Sequence, residues 1–140
     1  SPEVQALAGP NVRVTGYVTE AELARHYASA RLVVAPMRFG AGVKSKVVEA
    51  YAHGCPLVTT SVGYQGLEAL SVASPAADTA EAFAAQTRRL LRDDAAWQLA
   101  RERGTDFVRR HYSRGSMRAS LPLAAPAPQA AADCACTMPA

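Results

Sequence analysis

Aromatic residues make up only 6% of this 140-residue chain, and cysteine occurs three times, at Cys55, Cys134 and Cys136. Three cysteines give neither a disulfide framework nor a four-ligand zinc spacing, and they fit a reducing cytoplasm best. No apolar run approaches the roughly 18 residues of a spanning helix, and the first residues carry no charged-then-apolar signal pattern. Contact with a membrane would therefore be peripheral. The formal charge of +3 can assist an anionic ligand, but the basic side chains are spread along the chain and are not interleaved with aromatics. Nucleic acid is a weak partner on that pattern. The phosphate-binding signatures GxGxxG and GxxxxGK[ST] are both missing, and there is no internal repeat.

What is present is ordinary for a soluble domain: 49% hydrophobic residues, much of that alanine, and 19% charged. The length fits one domain with a usable core. Residues 2–7 read as a short helix before the Gly9-Pro10 turn. Residues 11–17 alternate Val12, Val14 and Gly16 against Arg13 and Thr15, as in a half-buried strand. Thr19 with Glu22 three positions on forms a capping box for a helix over 20–30, whose inner side carries Leu23, Tyr27 and Ala30. A strand at 32–35, a helix at 43–53 ending at Gly54 and a strand at 56–60 follow with short connections. Such alternation predicts an α/β fold with a parallel sheet. Beyond a second glycine loop come a helical turn at 67–70, a brief strand at 71–73, a helix at 79–92 capped by Asp78, and a helix at 95–112 weakened in its middle by Gly104. The expectation is about four strands in one domain over residues 1–113. Residues 114–140 read as an Ala/Pro-rich disordered tail, with a shift of reading frame as the rival explanation of its composition.

The chemistry concentrates in residues 32–67. A buried strand feeds a turn with Gly40 and Gly42 at a helix N-terminus, where outward backbone N–H groups and the positive dipole end suit a phosphate. Lys44 and Lys46 add cations. Val43, Val47, Ala50 and Tyr51 form the inward stripe of the helix, while Gly42, Lys46, Glu49 and His53 follow another line. If a nucleotide diphosphate sits at the helix N-terminus, Lys46 can neutralise phosphate charge and Glu49, one turn on, can accept from ribose hydroxyls. Alone, such a pair is more often a surface ion pair worth a few tenths of a kcal/mol, and the glycines alone are more often a tight turn. His53 reads as a helix C-terminal residue stabilised by the dipole, and Cys55 as a small apolar packing residue. His26 and His111 show no triad-like partner. Cys134 and Cys136 make a weak metal pair.

Taken together, PMRFGAGVKSKVVEAYAHGCPLVTTSVGYQGL resembles the signature region of retaining glycosyltransferases with the two-domain GT-B fold, in particular the large group 4 family. The resemblance is specific over about thirty residues. It implies a partial Rossmann-like, doubly wound domain, the nucleotide-sugar-binding C-terminal half, with Gly40, Ala41, Gly42, Lys44, Lys46, Glu49 and Gly63 around the donor. Glu49 stands where the family binds ribose, and Lys44 and Lys46 match its GAGxKxK branch. The first of the family's usual two glutamates falls here on Ala41. The resemblance also implies that the acceptor-binding half, its catalytic group and two earlier strands lie upstream of Ser1, supplied by the same chain or a partner chain. The fragment would then be inactive alone, with bare sheet edges that leave it marginally stable. No metal or cofactor is expected. A non-catalytic nucleotide-binding module and a GT-B-fold sugar-nucleotide epimerase are the rival readings.

Overall fold

The computed structural model describes residues 1–113, 115 and 116. Cys134, Cys136 and the rest of the expected tail lie outside the described residues. The elements run α1 (Pro2–Gln5), α2 (Glu20–Ser29), β1 (Val33–Ala35), α3 (Ser45–Ala52), β2 (Leu57–Thr59), a 3₁₀ turn (Glu68–Val72), α4 (Ala80–Arg92) and α5 (Asp94–Tyr112). Among the described residues no helix is long and apolar enough to cross a membrane.

The mixed architecture agrees with α/β, but the sheet has two strands where about four were expected. β1 and β2 are parallel, with Val33 opposite Leu57 and Ala35 opposite Thr59. Residues 11–17 make only an isolated bridge between Gly9 and Val12. They are exposed apart from Val14, so no second layer rewards pairing there. Residues 71–73 finish the 3₁₀ turn instead of forming a strand. The extended segment comes a few residues later, where the Ala77 N–H donates to the Thr59 carbonyl at 2.9 Å and so lies along the outer edge of β2.

Strand alternation divides the interior in two. On one side Ala35 and Leu57 meet Val47, Ala50 and Tyr51 of α3, closed by Tyr64, Leu67, Leu70 and Val108. On the other Val58 meets Ala77, Leu90, Ala96 and Ala100. At 19 residues, α5 is long enough to supply both clusters. Val43 departs from the expected inward stripe of α3: it precedes the first helical turn and is half exposed.

The helix starts follow side-chain chemistry. At α2 the capping box forms as the sequence implies, with Thr19 Oγ1 accepting from the Glu22 N–H and Glu22 Oε2 accepting from the Thr19 N–H. At α4 the cap is Thr79, whose Oγ1 accepts from Ala82, and not Asp78. Asp78 instead accepts from both the N–H and the hydroxyl of Ser61, tying the turn after β2 to the start of α4. The N-terminus of α5 is held by Trp97, whose Nε1 donates to the Arg31 carbonyl while the Arg31 and Arg101 guanidinium groups flank its ring. Further along, Arg101 Nε donates to the Gly54 carbonyl and Thr105 Oγ1 to the Tyr51 carbonyl, so α5 runs antiparallel to α3 at close range.

The two edges of the sheet are not equivalent. The Val33 N–H donates to Pro56, and in a parallel ladder successive residues address opposite edges, so the Val34 backbone faces away from β2. No strand covers that edge among the described residues, and the Val34 side chain is 51% exposed. A bare edge with an apolar side chain templates association. Val34→Lys is therefore expected to raise the concentration at which the chain self-associates, read by light scattering on a sizing column. Unchanged association would show that the edge is not the contact.

Candidate functional site

The loops that leave the C-terminal ends of β1 and β2 lie side by side, which in a parallel sheet is the end that binds ligands. Two hydroxyls lock them. Thr59 Oγ1 donates to the Ala35 carbonyl at 2.7 Å, and Thr60 Oγ1 donates to the Met37 carbonyl at 2.6 Å. Gly66 closes the second turn against the Val43 side chain.

Within the first loop Gly40 and Gly42 take φ of 129° and 72°, which a residue with a Cβ rarely adopts. This backward-curling backbone lets Lys44, the N-cap of α3, fold over it: Nζ donates to the Gly42 carbonyl at 2.6 Å, and the methylene stem lies beside Gly40. Lys44 is only 7% exposed. That carbonyl is the ammonium's one hydrogen-bond partner, and among the described residues no carboxylate forms an ion pair with Lys44 or Lys46. Lys46 is exposed on the first turn of α3, and Ala41 is exposed on the loop.

Glu49 sits one turn into α3, half-buried. Its Oε2 accepts from Tyr27 Oη on α2 at 3.2 Å. The Tyr27 ring stacks on His53 with centroids 4.8 Å apart and planes 7° from parallel. Burial first, and the Glu49 carboxylate second, push the Tyr27 hydroxyl up to about 12, so it remains a donor at any ordinary pH. Glu49 lines a cavity of about 490 Å³ with Val43, Ser45, Val48 and Tyr112. A wider cavity of about 820 Å³, walled by Val34, Pro36, Arg38, Phe83, Thr87 and neighbours, holds none of these residues. Its walls are largely apolar, with Arg38, Arg88 and the Asp78–Ala80 start of α4 at its rim, and it lies apart from the glycine loop and from Lys44, Lys46 and Glu49.

Six of the seven residues singled out in the sequence, Gly40, Ala41, Gly42, Lys44, Lys46 and Glu49, thus share one loop–helix unit. Gly63 stands on the neighbouring turn, buried, with its N–H already donated to Thr60. Sequence reading placed Tyr27 on the apolar side of α2 and did not pair it with Glu49. The two are 22 positions apart, and no local spacing marks the contact. His53 does terminate α3 as expected, with the added role of an aromatic floor under Tyr27. Cys55 is buried at 2% exposure, behind the site, with its thiol on the Ala30 carbonyl and pushed up by burial.

No curated protein and no solved structure matches this chain. Residues 1–93, about two thirds of the sequence, match the family described as glycosyl transferases group 1.

Proposed function

The chain belongs to the group 1 glycosyltransferases, and on that premise we propose that it is the donor-binding part of an enzyme that moves a sugar from a nucleotide-sugar to an acceptor with retention. The observation that carries the reading is Lys44, a residue 7% exposed whose ammonium has no carboxylate partner among the described residues and folds over the glycine loop at the N-cap of α3, the end of a helix that favours anions.

A diphosphate over Gly40 to Gly42 meets the backbone and dipole of α3 and the two lysine charges. Glu49, one turn further, is set to accept from ribose hydroxyls through Oε1. Gly63 contributes shape and no donor. In the transfer, the bond from the sugar C1 to the diphosphate oxygen breaks, C1 bonds to the acceptor oxygen, and the acceptor proton is lost. Stabilising the departing diphosphate is the part this chain performs. The acceptor site and its catalytic group belong to a partner half on this reading, and the chain alone turns nothing over. On the cysteine content we place the reaction in the cytoplasm, with any membrane contact peripheral.

Ala41 favours one other reading. With alanine where the family carries its first glutamate, the loop offers the donor sugar no carboxylate, which suits a module that binds a nucleotide without catalysis.

Titration with UDP, GDP and ADP by calorimetry tests binding. Glu49→Ala is expected to weaken the best-bound diphosphate roughly 10- to 100-fold, the worth of one or two hydrogen bonds to a charged group. Equal affinity after that change would remove Glu49 from the site.

A further inference from the structure

We propose that Tyr27 is a positioning residue of the donor site, fixing the carboxylate of Glu49 by one oxygen so that the other is presented to the ribose. The inference rests on the ribose role proposed above for Glu49. Three observations carry it. Tyr27 Oη donates to Glu49 Oε2 at 3.2 Å, and Oε1 has no partner among the described residues. The ring that carries the hydroxyl lies flat on His53 and is packed, partly buried, against the core beneath α3, which restricts its rotamers. The same carboxylate reaches a cavity between α3 and the end of α5, lined by Val43, Ser45, Val48 and Tyr112.

A glutamate on a helix surface samples several rotamers, and ordering it on ligand binding costs affinity. Here that ordering is built in. The donor comes from α2, the floor from the C-cap of α3 and the acceptor from the middle of α3. The triad therefore also sets the spacing of α2 against α3. Tyr27 itself touches no substrate in this arrangement.

The test uses the whole 140-residue chain, with the best-bound of UDP, GDP and ADP and the 2′,3′-dideoxy form of the same diphosphate as probes. Tyr27→Phe keeps the ring and its stacking and removes only the hydroxyl. It is expected to weaken the ribonucleotide roughly 3- to 10-fold and to leave the dideoxy affinity unchanged. In a Glu49→Ala background it is expected to change neither. Thermal unfolding of Tyr27→Phe and of Tyr27→Leu separates loss of fold from loss of positioning.

Equal weakening of both probes would make Tyr27 a packing residue and overturn the proposal. Unchanged or tighter ribonucleotide binding would overturn it too, the latter by showing that Tyr27 competes with the ribose. In both cases the ribose reading survives if Glu49→Ala still discriminates the two probes. If the unaltered chain binds no diphosphate, or Glu49→Ala leaves discrimination intact, the ribose reading falls and the positioning role with it.

Discussion

Gly104→Ala is expected to destabilise the chain by about 2–3 kcal/mol, although alanine is the better helix former by up to about 1 kcal/mol. Gly104 lies in the middle of α5, and a Cβ there would stand 2.0, 2.2 and 2.7 Å from Cδ1, Cε1 and Cγ of Tyr51. Ordinary carbon contacts need about 3.5–4.0 Å. Tyr51 cannot yield, since it is fully buried between α3, β2 and α5. The helices must move apart, breaking the Thr105 bond to the Tyr51 carbonyl and the Arg101 bond to Gly54. In a domain of this size the melting temperature should fall by roughly 10 °C. A melting temperature at or above that of the unaltered chain would mean that α3 and α5 do not approach as described.

Gly63→Ala is the second large effect, and here the obstacle is a hydroxyl. The added Cβ would fall 1.9 Å from Thr59 Oγ1 and 3.0 Å from its Cβ and Cγ2. That hydroxyl is fully buried and joins the ends of the two strands through the Ala35 carbonyl. Accommodating a methyl group means breaking the bond or lifting the turn after β2, at about 2–3 kcal/mol. A double-mutant cycle separates the contact from general damage: Thr59→Ala opens the space, so Gly63→Ala should cost clearly less in that background than alone. Additive losses, read from urea midpoints, would place the origin of the cost elsewhere. Weakened nucleotide binding should accompany the single change, because the same turn is tied to the Met37 loop through Thr60.

These two glycines show what was legible in the sequence and what was not. Gly104 reads as a weak point in a helix because propensity is a local quantity; its packing against Tyr51 depends on a residue 53 positions away. Capping is also local, and the Thr19 box formed as written, while Asp78 lost the α4 cap to its neighbour by taking the two donors of Ser61. The parallel β1–α3–β2 unit was readable because apolar runs and glycine punctuation mark it from within. Residues 11–17 carry a strand pattern but find no neighbour among the described residues, since alternation specifies a face and not a partner. Gly40, Gly42, Lys44, Lys46 and Glu49 sit close together in sequence, so their sharing one loop and helix is readable from spacing alone. The Tyr27–Glu49 hydrogen bond is not readable in that way, because it crosses between helices.

The unequal edges of the sheet give it a polarity. Beside β2 the Ala77 N–H occupies the Thr59 carbonyl at the strand's end, while beside β1 no strand pairs among the described residues. Among the described residues the open ladder lies beside Val34, so a strand added to this sheet would enter there. Between copies, with one open edge among the described residues of each molecule, an edge-to-edge pair consumes both templates at once. Self-association by this route should therefore stop at two copies instead of running on into fibres.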